Sequence, residues 1–157
     1  MLQKEEMKIL LEEKMAAFER ACREAGMKLT HQRLEIFREL AMATDHPAAE
    51  TLYKRLLKRL PTLSLDTVYR TLSTLENYDL VRRIQTPESQ ARFEAETGQH
   101  HHFVCDTCKE IVDFRWKKFD ESALPEEIME WGSVKNRNVT VHGTCKKCLS
   151  RKSGTHS

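Results

Sequence analysis

The sequence has no long hydrophobic run. No stretch of its 157 residues approaches the roughly 20 consecutive apolar residues that cross a bilayer. Its first residues, Met1 to Glu6, are acidic and have a helical pattern, which excludes a signal peptide. These absences predict a soluble, cytoplasmic protein with no membrane partner. Only 39% of the residues are hydrophobic and 32% are charged, which favours small cores with wide, charged surfaces.

The chain also lacks a large excess of charge of either sign. Its formal net charge is +2. Residues 1–85 hold 15 basic and 13 acidic side chains, and residues 86–157 hold 11 of each. This balance is too even to indicate nucleic-acid binding by charge alone, so any such function must depend on local clusters.

The cysteine pattern does not fit a disulfide framework, because the total of five is odd. Four of them form two C-x-x-C pairs, Cys105 with Cys108 and Cys145 with Cys148, separated by 36 residues. Each pair offers two thiolates, and together they predict one closed, tetrahedral structural Zn²⁺ site.

Two other interpretations of the cysteine pairs are weaker. A redox-active C-x-x-C of the thioredoxin type needs a preceding βαβ pattern, which is missing. A zinc deaminase needs an H-x-E sequence before a P-C-x-x-C sequence, which is also missing. The fifth cysteine, Cys22, lies on the apolar face of a predicted helix, which indicates a buried, inert thiol.

The N-terminal half predicts four helices. The first ends at Gly26 in the left-handed conformation, and the second begins at Thr30 as N-cap and runs to about Ala43. The third has Pro47 in its first turn, and the fourth is capped by Ser64. The apolar residues that define their faces are Met7, Leu11, Met15, Phe18, Cys22 and Ala25, then Leu34, Phe37 and Leu40, then Leu52, Leu56 and Leu60, and last Leu65, Val68, Leu72 and Leu75.

After the fourth helix the hydrophobic period changes from 3.6 to 2. Residues 81–85 and 91–94 predict a two-stranded wing, so helices two to four and the wing form a winged helix-turn-helix. The polar residues 95–99 predict a hinge. Beyond it we expect strands at 102–104, 111–114 and 134–141 and a helix at 120–131.

The predicted fold class is therefore α+β, with an N-terminal winged helix-turn-helix domain and a small C-terminal α/β domain that carries the zinc site. The predicted boundaries are 1–94 for the winged-helix domain with its extra N-terminal helix, 95–99 for the hinge, 100–149 for the metal-binding α/β domain, and 150–157 for a disordered tail.

A second set of possible metal ligands lies outside the cysteine pairs. His100 and His102 point to one face of their predicted strand. Glu94 ends the wing, Asp113 lies on the next strand, and His46 precedes a proline. Such a mixed nitrogen and oxygen set suits Fe²⁺, Mn²⁺ or Zn²⁺. The alternatives are a solvated strand edge for the histidine run, and a capping or turn residue for His46.

Several motifs together resemble the ferric uptake regulator (Fur) family of metal-dependent bacterial repressors. They are Thr30-His31-Gln32-Arg33, Asp45-His46-Pro47, Thr67-Val68-Tyr69-Arg70-Thr71-Leu72, Ala91-Arg92-Phe93-Glu94, the run His100–His102 and the two cysteine pairs. The resemblance covers the chain from about Gly26 to Cys148. It implies a homodimeric transcriptional repressor that binds a double-stranded DNA operator and is not an enzyme. In this architecture residues 1–94 would be the winged-helix DNA-binding domain and residues 100–149 the dimerisation and metal-binding domain.

The resemblance also implies which residues hold the metals. The structural zinc cofactor would be bound by Cys105, Cys108, Cys145 and Cys148. The regulatory Fe²⁺ or Mn²⁺ would be bound by His46, Glu94, His100, His102 and Asp113.

Two positions depart from the family's pattern. His31 stands where the family usually has proline. A further metal site found in some members would fall on Gln99, His101, Asp120 and Arg137, and with these residues we expect that it does not form.

The residues of the regulatory set divide between two branches of the family. Asp113, where iron sensors usually carry glutamate, resembles the peroxide-sensing (PerR-like) branch, which responds to oxidative stress. Glu94 and Arg70 resemble the iron-sensing branch, whose members repress iron-uptake genes. Glu94 also argues against the zinc-sensing branch, which tends to use a cysteine near this position. The peroxide-sensing assignment is preferred, with iron sensing as the alternative.

DNA contacts are expected from the fourth helix and from basic residues around it. Tyr69 and Arg70 lie opposite its apolar face, where they could reach base edges, although Arg70 could equally contact phosphate. The predicted DNA-binding residues are Tyr69, Arg70, Thr67, Lys54, Lys58 and Arg82. The basic residues Arg55, Arg59, Arg83 and Arg92 are expected to face phosphates or solvent.

Two other classes of function stay open from the residues alone. A metalloenzyme needs an open metal position with a general base, but nothing resembles a substrate pocket. A zinc-dependent redox chaperone would use the cysteines as a switch, but would need neither His46 nor a helix-turn-helix.

Overall fold

The computed structural model describes residues 2–95 and 98–153. The chain divides into two compact units, Met1–Thr97 and Gly98–Ser157. Over the described ranges, no helix has both the length and the apolar character that a bilayer crossing requires.

The first unit is a helical core followed by a two-stranded wing. The two strands of the wing, β1 (Arg82–Ile84) and β2 (Arg92–Glu94), pair antiparallel, with Arg83 opposite Phe93. This is the predicted winged helix-turn-helix with an additional N-terminal helix. Its elements are α1 (Leu2–Glu24), α2 (His31–Met42), α3 (Ala49–Leu56), α4 (Leu65–Asn77), β1 (Arg82–Ile84) and β2 (Arg92–Glu94).

The helix ends follow the capping signals in the sequence. Gly26 has φ of +67°, and the N–H of Met27 donates to the carbonyl of Cys22 at 2.9 Å, which together form a Schellman ending. Thr30 and Ser64 each accept a hydrogen bond from the backbone N–H three residues on, at 3.2 and 3.1 Å. These local bonds fix where α1 ends and where α2 and α4 begin.

The core of the first unit joins the four helices to the wing. The rings of Phe18 in α1 and Phe37 in α2 stack with centroids 4.5 Å apart, and Leu72 and Phe93 are buried with them. Cys22 is buried in the same core as predicted, and this burial raises the pKa of its thiol. Only the C-terminal part of α1 contributes to this core, since Met7 near its start is exposed.

The third helix differs from the prediction at both ends. Pro47 lies before the helix instead of in its first turn, and Ala48 is the N-cap. The carbonyl of Pro47 accepts a hydrogen bond from the N–H of Phe93 at 3.0 Å, which holds it against β2 in an extended segment. The helix ends at Leu56, and a turn at residues 57–59 separates it from Leu60.

The second unit is a three-stranded sheet with short helices. The central strand is β3 (His101–Cys105). On one side it pairs antiparallel with β4 (Ile111–Phe114), and on the other it pairs parallel with β5 (Thr140–Gly143). Val104 at the centre of the sheet is fully buried. Its elements are β3 (His101–Cys105), β4 (Ile111–Phe114), α5 (Lys117–Glu121), α6 (Glu126–Trp131), β5 (Thr140–Gly143) and α7 (Lys146–Ser153).

Two predicted elements of this unit have different bounds. The helix expected at 120–131 is two short helices, because Pro125 cannot continue the first and instead caps the second. The strand expected at 134–141 is confined to Thr140–Gly143, where it pairs with β3 in register His102 to Thr140.

The predicted C-terminal tail and hinge fall partly outside the described residues. Residues 150–153 were expected to be disordered, but they complete α7. Arg151 and Lys152 lie in its last turn, where positive charge favours a helix. Residues 154–157 of the predicted tail and residues 96–97 of the predicted hinge lie outside the described residues.

Candidate metal centres

The four cysteines of the two C-x-x-C pairs lie together in the second unit. Cys105 ends β3, Cys108 lies in the turn after it, and Cys145 and Cys148 lie at the start of α7. Their sulfur atoms are all within 4.8 Å of one another, and the sulfurs of Cys108 and Cys145 are 3.8 Å apart. Four sulfurs at about 2.3 Å from a tetrahedral Zn²⁺ are separated by about 3.8 Å, so the cluster fits the ion.

The protein environment makes the sulfurs chemically unequal. Hydrogen bonds from the backbone N–H groups of Cys145, at 3.3 Å, and of Cys108 lower the pKa of Cys105 to about 6. Burial, together with its cysteine neighbours, raises the pKa of Cys148 to about 12. All four are free thiols. A bound divalent cation stabilises thiolates, including those that the fold alone keeps protonated.

In the first unit, His46 and Glu94 form a buried pair. Nε2 of His46 lies 3.3 Å from Oε2 of Glu94, and both side chains are less than a tenth exposed. His46 lies in the segment between α2 and α3, and Glu94 ends β2. The hydrogen bond from Phe93 to Pro47 brings these two segments together.

In the second unit, His100, His102 and Asp113 form another group. Oδ1 of Asp113 lies 3.4 Å from Nε2 of His102 and 4.0 Å from Nε2 of His100. The short distance between His102 and Asp113 results from strand pairing, because the two residues are directly opposite each other in the register of β3 and β4. Nδ1 of His100 lies 2.7 Å from the carbonyl of Gly98 and donates to it, which leaves Nε2 of the neutral ring with a lone pair for a metal.

The two groups together contain the five residues predicted to hold the regulatory metal. In the first unit, Nε2 of His46 lies within 4.0 Å of a carboxylate oxygen of Glu94. In the second unit, the Nε2 atoms of His100 and His102 lie within 4.0 Å of the same carboxylate oxygen of Asp113. Imidazole nitrogen and carboxylate oxygen are donors that fit Fe²⁺, Mn²⁺ or Zn²⁺. His46 is thus buried beside a carboxylate, and His100 and His102 are buried as well, which does not fit a solvated strand edge.

His101, between the two candidate ligands, belongs to a different cluster. Its Nδ1 accepts a hydrogen bond from the N–H of Val139 at 3.0 Å, so its Nε2 carries the proton and donates to Oδ1 of Asp120 at 2.8 Å. The same oxygen accepts a hydrogen bond from Gln99 at 3.0 Å, and the guanidinium of Arg137 donates to the carbonyl of Asp120. The cluster is thus joined by direct hydrogen bonds.

The charges of this cluster favour an ionised Asp120. Burial opposes ionisation, but the hydrogen bonds from Gln99 and His101 and the nearby Arg137 outweigh it and lower the pKa of the carboxyl. Arg137 supplies a permanent positive charge, so the cluster has no need of a metal cation to balance Asp120.

The predicted DNA-binding residues take three kinds of position. Tyr69 and Arg70 lie on the exposed face of α4, where Arg70 forms an ion pair with Asp66 at 2.9 Å. Lys54 and Lys58 are exposed on and just after α3. The hydroxyl of Thr67 instead joins the capping group of Ser64 at 2.8 Å, and Nη1 of Arg82 lies 3.6 Å from Oε1 of Glu94.

Two arginines have acidic partners that the sequence did not predict. Arg55 forms a two-point hydrogen bond with Asp45, and Arg59 contacts Glu39 at 2.9 Å. Both guanidinium groups therefore pair with carboxylates of the protein itself. The only signal for this was the presence of acidic residues on α2 and in the segment after it, which spacing along the chain does not assign to particular partners.

Known proteins resemble this chain over most of its length. Residues 24–142 match the model of the ferric uptake regulator family. The peroxide-responsive repressor PerR of Staphylococcus epidermidis is 32% identical over 139 residues, covering 88% of this chain and 89% of that protein.

Solved structures give the same fold. The ferric uptake regulator of Pseudomonas aeruginosa with manganese has a TM-score of 0.64 and 30% identity, covering 82% of this chain and 97% of that one. The ferric uptake regulator of Helicobacter pylori, at 22% identity, has a TM-score of 0.72 and covers 88% and 93%. The family consists of transcriptional regulators and not of enzymes. The chain belongs to the ferric uptake regulator family.

Proposed function

We propose that this metal-dependent regulator is a homodimeric, cytoplasmic repressor that senses peroxide through a bound Fe²⁺ or Mn²⁺. The observation that carries the proposal is the division of the imidazole and carboxylate donors between the units. His46 and Glu94 belong to the first, and His100, His102 and Asp113 belong to the second. A separate, all-cysteine cluster fits a structural zinc.

In this proposal one regulatory ion binds all five residues, and so joins the DNA-binding unit to the dimerisation unit. In a dimer, the angle between the units sets the separation of the two α4 helices, which must match operator half-sites about one helical turn apart. The ion acts by binding the DNA-competent arrangement more tightly than the others. A shift in population from 1:99 to 99:1 needs a difference of about 5.5 kcal/mol.

Peroxide sensing is supported by Asp113 and by the relatives. The staphylococcal protein that is 32% identical over most of both chains is a peroxide-responsive repressor. The second candidate is a repressor of iron-uptake genes with Fe²⁺ as corepressor. It is supported by Glu94, by Arg70 and by the 30% identity to the ferric uptake regulator of Pseudomonas aeruginosa.

The test is a DNA-binding titration of protein that retains zinc in the cysteines but lacks the regulatory metal. Fe²⁺, Mn²⁺ and Zn²⁺ are added separately, with and without peroxide. We expect Fe²⁺ and Mn²⁺ to restore operator binding, and peroxide to abolish it in the Fe²⁺ form alone. Operator binding that does not depend on metal would contradict the repressor mechanism. Fe²⁺-dependent binding that resists peroxide would favour the iron-sensing candidate.

A further inference from the structure

The backbone of His46 has an unusual conformation. Its φ is +49°, in the left-handed region that side chains with a Cβ rarely adopt. The next residue is Pro47, and a following proline further restricts the backbone before it. Such a conformation persists only where the surrounding structure enforces it, and this often occurs at functional sites.

Arg92 on β2 provides the main restraint on this segment. Its Nε donates to the carbonyl of His46, and its Nη2 donates to the carbonyl of Asp45 at 2.9 Å. The planar guanidinium therefore donates hydrogen bonds to two successive backbone carbonyls, one of which belongs to His46. The Arg92 side chain is only 18% exposed, so it faces this segment and not an open wing surface.

Two further contacts hold the same segment from either side. On one side, the carboxylate of Asp45 is bound at two points by the guanidinium of Arg55 from α3. On the other, the N–H of Phe93 donates to the carbonyl of Pro47 at 3.0 Å. The restraints on His46 thus come from α3 and β2, and most of them come from β2.

The position of Arg92 connects these restraints to the candidate ligands. Arg92 and Glu94 are two residues apart on one strand, so their side chains project to the same face of β2. One strand thus supplies the carboxylate and also holds the backbone that places Nε2 of His46 at 3.3 Å from it.

We propose that Arg92 is a positioning residue for the regulatory metal, which fixes His46 for ligation, and that it is not a contact to DNA phosphate. The inference rests on the proposed function, because it assigns His46 and Glu94 to a bound ion. A lysine at this position keeps the positive charge but cannot donate in a fork to two carbonyls. Arg92→Lys therefore separates positioning from simple charge.

The experiment measures Mn²⁺ affinity without DNA, using full-length protein that carries zinc in its cysteines. We expect Arg92→Lys to weaken Mn²⁺ binding about 10- to 100-fold, the usual effect of losing a residue that orients a ligand. Its melting temperature without Mn²⁺ should stay close to that of the wild type. The absorption spectrum of Co²⁺ bound in place of Mn²⁺ should also change, because it reports ligand geometry. At saturating Mn²⁺, operator affinity should return to the wild-type value.

The matched control is Arg83→Lys on the neighbouring strand. Arg83 lies over the ring of Phe93 at 5.2 Å and pairs with Glu76 at 3.2 Å, so its replacement should leave Mn²⁺ affinity within about twofold of the wild type. Asp45→Ala removes the contact with Arg55 and should weaken Mn²⁺ binding in the same direction. If Arg92→Lys does not fold, Arg92→Gln, which keeps an amide donor but loses the fork, is measured in the same way and should also weaken Mn²⁺ binding.

The outcomes distinguish this inference from the proposed function. Unchanged Mn²⁺ affinity in Arg92→Lys, alongside loss of binding in His46→Ala, overturns the positioning role alone. Weak operator binding by Arg92→Lys at saturating Mn²⁺ makes Arg92 a DNA contact and also overturns it. Wild-type Mn²⁺ affinity in His46→Ala instead contradicts the proposed regulatory site.

Discussion

Two of the four cysteines, Cys105 and Cys148, differ in how readily they lose a proton. The sulfur of Cys105 accepts hydrogen bonds from backbone N–H groups, which lower its pKa to about 6, whereas burial raises the pKa of Cys148 to about 12. A bound Zn²⁺ needs all four as thiolates, so it must overcome the environment of Cys148 while gaining from that of Cys105. The free energy of zinc binding is thereby coupled to the folding of the second unit.

Cys105→Ser or Cys148→Ser should therefore lose zinc, the dimer and solubility together. Replacing one thiolate leaves a site with three sulfurs, which binds zinc less tightly and no longer stabilises the fold around it. Metal analysis and size-exclusion chromatography measure the result. The control is Cys22→Ala. Cys22 lies in the core of the other unit, so this variant should keep its zinc. A folded, zinc-free dimer of either serine variant would disprove the structural role.

Asp120 offers a test of whether its cluster holds a metal. Asp120→Ala removes the acceptor for His101 and Gln99 and leaves the buried Nε2–H of His101 without a partner. We expect a lower melting temperature with unchanged metal content and unchanged metal-dependent DNA binding. Glu121→Ala is the control, because Glu121 makes only an exposed ion pair with Lys117 at 3.8 Å, and such pairs contribute little. A loss of bound metal in Asp120→Ala would instead indicate a third metal site.

At this scale, the sequence predicted the sulfur cluster well but the arginine contacts poorly. A C-x-x-C pair has a narrow range of local geometries, so its spacing alone points to a shared ion. Arg92 contacts a carbonyl 46 positions away, and Arg59 contacts a carboxylate 20 positions away. A long charged side chain can reach many partners, and only the packing of α2, α3 and β2 selects among them.

Among the elements, α4 is the candidate reader of DNA bases. It presents Tyr69 and Arg70 to solvent and buries Val68, Leu72 and Leu75. The ion pair of Arg70 with Asp66 is formed by two highly exposed side chains. Because an exposed pair contributes little free energy, Arg70 can leave Asp66 for a base edge at small cost.

Arg70→Ala should weaken operator binding by roughly 1–3 kcal/mol if Arg70 makes a two-point contact with a base, while hardly changing binding to random DNA. Lys58→Ala should weaken both and reduce the salt dependence, since an exposed lysine near DNA acts through phosphate. Fluorescence anisotropy on operator and random duplexes over a range of salt measures this. Equal losses on both duplexes for Arg70→Ala would make Arg70 a phosphate contact.

The elements were predictable where local chemistry marks their ends. Thr30 and Ser64 begin helices and Gly26 ends one, each through bonds within a few residues. The second unit was less predictable. Its strand β5 is defined by parallel pairing with β3, nearly 40 residues earlier in the chain, and an extended segment from 134 onward carries no local signal of where that pairing starts.

For the whole molecule, the essential feature is that donors of one chemical kind belong to two separate units. His46 and Glu94 are held by contacts within the first unit, and His102 and Asp113 are opposite each other in the sheet of the second. Neither group offers more than three side chains. The motifs predicted this set of five residues. The conformation of His46 depends in addition on a tertiary contact with Arg92, which the sequence does not indicate.

Asp113→Glu is expected to separate metal binding from the response to peroxide. Glutamate keeps the carboxylate that lies beside His102 in the sheet, so metal-dependent operator binding should remain largely intact. One added methylene moves that carboxylate relative to the imidazoles and changes access of peroxide to a bound iron. We therefore expect slower loss of operator binding after peroxide treatment, measured as a time course against the wild type. An unchanged rate would show that the length of this side chain does not set the response.

Peroxide sensing predicts a covalent change at a histidine. In the proposed function, a bound iron would supply the oxidising chemistry when peroxide arrives. The ring of His46 or His100 should then gain one oxygen atom from peroxide, whose other oxygen leaves as water. Mn²⁺ does not readily drive this reaction, so the Mn²⁺ form should keep its operator affinity at the same dose. An oxidised imidazole is a poor ligand, and its loss would uncouple the DNA-binding unit from the dimerisation unit while the cysteines stay reduced. Mass spectrometry of peptides containing His46 and His100 after exposure of the Fe²⁺ form to peroxide measures this change. Unmodified histidines together with retained operator binding would identify a plain iron sensor.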